Sequence, residues 1–537
     1  MQIVAALRGR RDPDGLAMVR QYWMRHEPLG FPLTEEEQER AREGEEISLT
    51  AEQARPFEVK WREAVHDGLI AESALPAKDL SVRPVADWEI PESAARDDSG
   101  IELVFAPDPT IYDGRYANNG WLQELPKPLT KLTWDNALMV SPAFAESQGL
   151  KTGDIVRLIA EQTPLEVPVW VQPGHAEGAV TLHLGYGRTR AGRVGTGLGF
   201  NAYRLRRSNN PWIVRGAQIS RTDRTYELAT TQLHGSLEGR NHVRAATLDQ
   251  YQRNPEFVLD FEHDHSHDGD PHPSMYPDFP YNGYAWGMTI DLNRCVGCNA
   301  CVIGCQAENN IPIVGKEEVI RGRAMHWLEL DRYYGSVEAD PIEAASNPEV
   351  AFQPRLCMHC ERAPCEVVCP VEATVHDHEG LNNMVYNRCV GTRYCSNNCP
   401  YKVRHFNFLD YNEFRFRASS EAVGTAAPLA LLMNPEVTVR ALGVIEKCTY
   451  CVQRINKGKI QAELEDRKVV DGEIVTACQQ ACPAQAIVFG DINDSSARVS
   501  ELKKSPRNYA MLSELNTRPR TSYLAMVKNP NPELEAL

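Results

Sequence analysis

The sequence predicts a multidomain α+β chain in which a β-barrel precedes a cysteine-rich module. All 15 cysteines lie between Cys295 and Cys482, in four short groups. From Ile101 onward, short β-branched runs are broken by Gly and Pro, and several short strands at this spacing favour a barrel or a sandwich. At 537 residues, the chain has room for two or three domains.

Changes in composition divide the chain into five segments. Residues 1–100 are predicted to be mostly helical, and residues 101–230 to form the barrel. A polar linker follows over 231–285, the cysteine-rich module occupies 286–490, and the tail over 491–537 packs on its neighbours. The linker holds several histidines among aspartates, which could take up a stray divalent metal. We favour a hydrated linker.

The cysteines have the spacing of iron–sulfur motifs. The first group reads C-x2-C-x2-C-x3-C, and each later group ends in C-x3-C-P. Thiolates hold iron–sulfur clusters, and such a run is their local signature. A disulfide framework suits a short secreted chain, and zinc sites rarely add a third cysteine at the same spacing. The predicted metal ligands are Cys295, Cys298, Cys301, Cys305, Cys357, Cys360, Cys365, Cys369, Cys389, Cys395, Cys399, Cys448, Cys451, Cys478 and Cys482.

The motif spacing predicts a nested pairing of the four groups. The last cysteine of such a motif tends to ligate the other cluster of a pair. Two tandem ferredoxin-like halves are therefore expected, with the second inserted inside the first. The predicted ligand sets are Cys295, Cys298, Cys301 and Cys482; Cys305, Cys448, Cys451 and Cys478; Cys357, Cys360, Cys365 and Cys399; and Cys369, Cys389 and Cys395.

The last of these sets has only three thiolates. Thr392 stands where the second cysteine of the third motif is expected. A hydroxyl is a poor ligand for cluster iron, which prefers soft thiolate. The sequence thus predicts one [3Fe–4S] cluster there and three [4Fe–4S] clusters elsewhere. Because net charge helps to set the potential, we expect this cluster to have a higher potential than at least one neighbour.

Composition excludes some partners and leaves others open. The net charge of −16 argues against a nucleic-acid partner. No apolar run approaches the roughly 20 residues that span a bilayer. The first residues lack the pattern of an export signal, so we expect a partner to carry that signal if the chain is exported.

A few polar residues in or near the cysteine motifs leave more than one interpretation open. His359, inside the second motif, is expected either to donate behind a cluster or to be exposed to solvent. Lys402 and Arg404 could donate hydrogen bonds near a cluster or pair with a partner, or they could form surface salt bridges. The Gly- and Arg-rich segment Gly185–Gly195 could cradle a phosphate-bearing cofactor. We favour a barrel loop that faces a neighbour, because the glycine spacing matches no phosphate motif closely.

Two modules of this chain resemble known families. The cysteine-rich module resembles the four-cluster ferredoxin subunits of polysulfide and dimethyl sulfoxide reductases. Residues 101–207, with the segments Asn118–Pro126 and Thr133–Asn136, resemble the C-terminal barrel of molybdopterin oxidoreductases. Both modules in this order resemble the B subunit of alternative complex III, a quinol-oxidising membrane complex. The implied fold is a molybdopterin-oxidoreductase C-terminal-type β-barrel followed by a double ferredoxin-like four-cluster domain.

The resemblance implies a non-catalytic electron-transfer subunit. Quinol would be oxidised by a polysulfide-reductase-type membrane subunit, and electrons would enter at the [3Fe–4S] cluster and leave towards c-type cytochrome subunits. An alternative is a relay in a polysulfide-reductase-like molybdoenzyme complex, for which molybdenum in the complex would be diagnostic. A third interpretation, in which the clusters only hold the fold together, is common for single clusters but disfavoured for four.

This chain also departs from the pattern of the family that it resembles. B subunits of this family are usually longer, and this chain begins inside the molybdopterin-like region, so residues 1–100 are expected to be a remnant of it. Either a companion chain supplies the front half, or the region is reduced. Because the region in this family lacks the cofactor, no molybdopterin is expected. The family places the subunit peripherally, on the periplasmic face of the bacterial inner membrane.

Overall fold

Two units make up the chain, Met1–Arg96 and Asp97–Leu537. The computed structural model describes residues 14–24, 51–70, 100–261, 279–335, 345–412 and 431–531, together with 73, 74, 76, 78, 81 and 277. Among these described residues, the first unit contains two helices, α1 (Gly15–Met24) and α2 (Ala51–Asp67). Arg20 lies over the rings of Phe57 and Trp61, which stack on each other. The histidine-rich part of the predicted linker lies outside the described residues.

Six strands of the second unit close into a barrel in the order β1-β5-β2-β4-β3-β6. The pairs β1–β5 and β2–β4 are parallel, and the others are antiparallel. Along β3 the buried residues alternate with more exposed ones, which fills the interior with side chains such as Val156 and Leu158. The predicted barrel is thereby confirmed. The strands are β1 (Ile101–Ala106), β2 (Leu138–Val140), β3 (Asp154–Ala160), β4 (Thr163–Val171), β5 (Ala179–His183) and β6 (Ile213–Thr225).

Short helices accompany the barrel, and the Gly-rich segment packs against it. A Cβ on Gly187 would lie 2.2 Å from the backbone nitrogen of Asn201, and one on Gly195 would lie 2.3 Å from the carbonyl oxygen of Ala117. These glycines therefore permit close backbone approach, which supports the favoured interpretation of this segment as a barrel loop. The helices are α3 (Gly120–Glu124), α4 (Pro142–Ser147) and α5 (Gly192–Gly195).

The cysteine-rich module is built on a four-stranded sheet in the order β15-β8-β17-β16. Its strands β8 and β15 are antiparallel, whereas β17 runs parallel to β8. The sheet thus extends past residue 490 into the predicted tail. Two-stranded sheets pair β9 with β10, β11 with β12, β13 with β14 and β7 with β18. The strands are β7 (Ala245–Thr247), β8 (Trp286–Asp291), β9 (Glu329–Gly335), β10 (Glu349–Arg355), β11 (Thr374–His376), β12 (Asn382–Met384), β13 (His405–Phe406), β14 (Ile445–Glu446), β15 (Ile487–Asp491), β16 (Asn508–Tyr509), β17 (Thr521–Leu524) and β18 (Met526–Lys528).

Two helices that carry cysteines, α7 and α11, pack closely against each other. A Cβ on Gly304 of α7 would lie 2.8 Å from the Cβ of Ala481 in α11, so only glycine allows this approach. None of the helices in the described ranges is long and apolar enough to cross a membrane. The helices of this part are α6 (Leu248–Arg253), α7 (Ala300–Glu308), α8 (Lys316–Ile320), α9 (Tyr394–Asn398), α10 (Val452–Leu464), α11 (Ala477–Ala481) and α12 (Arg498–Lys503).

Buried polar contacts join the barrel to the cysteine-rich module. The carboxylate of Glu124, at the end of α3, accepts hydrogen bonds from the backbone N–H groups of Val314 and Gly315 at 2.7–3.0 Å. Asn299, next to α7, donates its side-chain amide to the carbonyl of Pro126. The end of α3 and the residues just after it therefore contact the loops that precede and follow α7, the first helix that carries cysteines.

Glu124 is expected to make stability depend on pH. Burial raises its pKa to about 7, although the two backbone donors oppose this. Because the folded-state pKa is raised, stability is full below the ordinary value of 4.5 and is lost as the pH rises through about 7. Between about pH 6 and about pH 8, the free energy of unfolding should fall by about 1 kcal/mol. Denaturant titration should show this slope abolished in Glu124→Gln and kept in Glu146→Gln, an exposed control.

Candidate iron–sulfur sites

Site 1 is a small cavity at the start of α7. Gly297 lies in the loop between its cysteines at φ 72°, and a Cβ there would be 2.7 Å from the ring of Phe352. Phe352 therefore packs directly on this loop. The backbone N–H of Ala486 donates to a sulfur of the site at 3.3 Å. The cysteines of site 1 are Cys295, Cys298, Cys301 and Cys482.

Site 2 lies between α7, α10 and α11, and its four cysteines are all buried. The Nδ2 of Asn309 is 3.6 Å from one of its sulfurs and 3.9 Å from another. The backbone N–H groups of Tyr450 and Ala477 also donate to its sulfurs, each at 3.4 Å. The cysteines of site 2 are Cys305, Cys448, Cys451 and Cys478.

Site 3 is a small cavity lined in part by Asn382 and Arg404. Asn382 lies 3.8 Å from the sulfur of Cys365 and accepts a 2.7 Å hydrogen bond from the guanidinium of Arg404. The cysteines of site 3 are Cys357, Cys360, Cys365 and Cys399.

Site 4 is a small cavity with three cysteines, Cys369, Cys389 and Cys395. Thr392 also lines this cavity. The same threonine lines a larger polar pocket, together with Arg323 and Arg393, so this corner of site 4 faces a surface opening. The structure thus brings together the members of each predicted set and places Thr392 beside the incomplete one.

The chemistry of the four sites fits iron–sulfur clusters. Burial raises the pKa of Cys365 and of Cys451 to about 12, and it raises the pKa of Cys301 well above its ordinary value. Such thiols become thiolates only when metal replaces the proton. Backbone N–H groups point at several sulfurs, as they would at cluster thiolates. Within the described ranges no three His, Cys, Asp or Glu side chains stand close enough for a single metal ion, and the four thiols of site 1 and of site 3 instead line shared cavities.

The four sites follow one another in a line. Sites 1 and 2 adjoin at Cys301 and Cys478. These two sulfurs lie close enough that a negative charge on Cys478 raises the pKa of Cys301. Sites 2 and 3 adjoin in the same way at Cys448 and Cys357. Arg404 connects sites 3 and 4, because thiolates of both sites raise its pKa against the lowering effect of burial. The order is therefore 1-2-3-4, with the incomplete site at one end.

The polar residues in and near the second and third motifs have separate roles. Arg404 is buried and donates to Thr374 at 3.1 Å as well as to Asn382, whereas Lys402 is exposed and donates to the carbonyl of Asn397. The predicted role of a hydrogen-bond donor near a cluster thus fits Arg404. His359 is fully buried, its Nδ1 accepts from the backbone N–H of Asn382 at 3.1 Å, and its ring stacks on Tyr450.

Buried cations near the sites were not predicted from the sequence. The ammonium of Lys447 is fully buried and donates to the carbonyl of Cys448 at 2.9 Å. Arg440 pairs with Glu446 at 2.7 Å, with both side chains fully buried. Lys131, from the barrel side, is also buried and lies near site 1. Lys447 directly precedes Cys448 in the sequence, whereas only proximity in space marks Lys131 and Arg440.

Comparison with known proteins places this module in a family. Two matches to 4Fe-4S dicluster domain families cover residues 294–373 and 348–414. The iron–sulfur cluster-binding subunit of menaquinone reductase from Nitratidesulfovibrio vulgaris is 38% identical over 244 residues, which are 45% of this chain and 88% of that protein. The chain belongs to this family of iron–sulfur subunits. It is therefore an electron-transfer subunit that carries iron–sulfur clusters.

Other members of the family show similar coverage. The iron–sulfur subunit 1 of an Hdr-like menaquinol oxidoreductase from Archaeoglobus fulgidus is 31% identical over 44% of this chain and 82% of its own length. The iron–sulfur subunit of arsenate respiratory reductase from Shewanella sp. is 33% identical over 44% of this chain and 95% of its own. Acetylene hydratase from Pelobacter acetylenicus has a TM-score of 0.17 at 15% identity, covers 22% of this chain and is matched over only 18% of its own length, too little for any inference.

Proposed function

We propose that this chain is the electron-transfer subunit of a quinol-oxidising membrane complex of the alternative complex III type. The observation that carries the proposal is the line of four thiol sites ending in one with Thr392 in place of a cysteine. Names of relatives that include menaquinone reductase and menaquinol oxidoreductase support a quinol-linked role.

The residues of this chain hold, order and shield the cofactors. Sites 1, 2 and 3 have four thiols each and suit [4Fe–4S] clusters, and site 4 has three and suits a [3Fe–4S] cluster. When bound, the clusters supply one-electron transfer. Burial of most of these cysteines excludes water, and the N–H groups on sulfur stabilise the charge of thiolates. No bond chemistry is assigned to this chain.

The partners and location of the subunit belong to the same proposal. A polysulfide-reductase-type membrane subunit carries the quinol site, and c-type cytochrome subunits accept electrons. The barrel serves as the C-terminal-type domain of a molybdopterin-like region. The complex holds this chain on the periplasmic face of the inner membrane.

A second candidate function is a relay in a polysulfide-reductase-like molybdoenzyme complex. The names of other relatives favour it, because they include subunits of arsenate respiratory reductase and dimethyl sulfoxide reductase. The two candidates differ in the metal content of the assembled complex rather than in the four thiol sites.

The deciding experiment isolates the membrane complex through this chain and measures iron and molybdenum. The alternative complex III proposal expects four irons at each of three sites, three irons at site 4 and no molybdenum. One molybdenum per chain would instead establish the molybdoenzyme relay. Reduction by quinol, followed by EPR, gives an independent check, because clusters that quinol leaves oxidised would indicate that they only hold the fold together.

A further inference from the structure

Lys131 is a buried lysine supplied by the barrel side of the chain. It lies between α3 and β2, at φ 59°, and its side chain is among the least exposed of the described residues at 1%. Its backbone is fixed on both sides, because its N–H donates to the carbonyl of Lys127 at 3.0 Å and its carbonyl accepts from Thr231 at 3.1 Å. The position of the ammonium is therefore held by the fold.

The ammonium of Lys131 has no hydrogen-bond partner among the described residues. Asp331, a nearby carboxylate, is already bound by Arg355 at 2.7 Å, and Arg332 adds a repelling charge. A buried ammonium without a partner costs several kcal/mol, so a site that keeps one needs a negative charge close by.

The negative charge beside this lysine comes from the thiolates of site 1 and the cluster that they would hold. Lys131 lies 5.9 Å from the centre of the Phe352 ring, and that ring packs on Gly297 within the first cysteine loop. Burial lowers the pKa of Lys131 to about 8, and Cys301 and Cys295 lie near enough to oppose this by favouring the charged form of the ammonium. Lys131 does not line the cavity itself, so it acts through space and not as a ligand.

We infer that Lys131 is a positioning residue for the cluster at site 1, where its ammonium stabilises the reduced state and raises the reduction potential. The inference rests on the proposed function, since it requires a redox-active cluster at that site. A cluster gains one negative charge on reduction, and a fixed cation nearby favours that gain. The barrel thus tunes an electron carrier of the neighbouring module.

The test compares charge variants of Lys131 in the full chain within its complex. Lys131→Met should lower the equilibrium constant for reduction of the site 1 cluster about tenfold, which is about 59 mV for a one-electron couple. Lys131→Arg keeps the charge and should retain most of the wild-type potential. EPR-monitored redox titration resolves the couples, and Cys298→Ala identifies the couple of site 1 by removing one of its ligands.

Lys127→Met is the matched control. Lys127 is equally buried and lies four residues earlier, but its ammonium donates to the backbone carbonyl of Asp135 at 2.9 Å and to the hydroxyl of Tyr186 at 3.0 Å. It also pairs with Asp108 at 3.4 Å. Its loss should reduce stability and leave every cluster potential unchanged. Should Lys131→Met not assemble, Lys131→Gln removes the same charge but keeps a polar end. Loss of the site 1 cluster from both neutral variants would show a structural role for Lys131 and overturn the inference.

The inference and the proposed function fail in different ways. If both neutral variants lose stability while all couples keep their wild-type potentials, Lys131 has only a structural role and the inference is overturned. If the wild-type complex holds no reducible clusters, the proposed function itself fails.

Discussion

Replacing Thr392 by cysteine is expected to remove the EPR signal of an oxidised [3Fe–4S] cluster from this protein. Thr392 lines the cavity of site 4 beside three cysteines, so a thiol there completes a set of four. Soft thiolate binds iron where a hydroxyl does not, and the site then takes a fourth iron. The iron content should rise by one per chain, and the potential of this cluster should change by the largest amount of any single substitution at this site.

Thr392→Ser is the control, because it keeps the hydroxyl and should keep the signal. The opening of this corner towards Arg323 and Arg393 leaves room for the new side chain. EPR of the oxidised protein and iron analysis are the two measurements. An unchanged signal in Thr392→Cys would falsify the assignment of site 4.

Arg404→Gln is expected to lower the potentials of the clusters at sites 3 and 4 together. Arg404 is 4% exposed and donates to Asn382 and Thr374, with thiolates of both sites around it. Removing this charge should shift each couple by on the order of 60 mV, a tenfold change in the equilibrium constant. The lost charged hydrogen bonds should also reduce the free energy of unfolding by about 3 kcal/mol.

Lys402→Gln removes a charge two residues away and serves as its control. Because Lys402 is exposed and bonds only to the carbonyl of Asn397 among the described residues, the change should affect stability by less than about 0.5 kcal/mol. Redox titration and denaturant unfolding of both variants test the pair. Equal shifts of the cluster potentials in the two variants would show that Arg404 acts only through the net charge of the protein.

Local spacing predicted much of the candidate site. The cysteine motifs predict which residues belong together because a cluster imposes short, fixed separations on its ligands. Thr392 could be identified as an exception for the same reason. The barrel, too, followed from short apolar runs interrupted by Gly and Pro, whose interior residues alternate as in β3.

Contacts between distant segments could not be predicted in this way. Lys131 lies more than 160 residues before Cys295, and nothing in its own neighbourhood marks it as a neighbour of thiols. Glu124 lies at the end of a helix of only five residues, and its role depends on two N–H groups near residue 314. The irregular composition of residues 491–537 likewise hides β17, whose four residues are all buried.

The position of β17 has a consequence for synthesis of the protein. It pairs with β8, which precedes every cysteine, whereas β17 itself follows them all. While the chain is being translated, one edge of β8 stays open although all the thiols have already emerged. Open strand edges pair with other chains, and unprotected thiols oxidise. A product halted before residue 521 would therefore combine both hazards, and aggregation of such products should depend on how early iron is delivered.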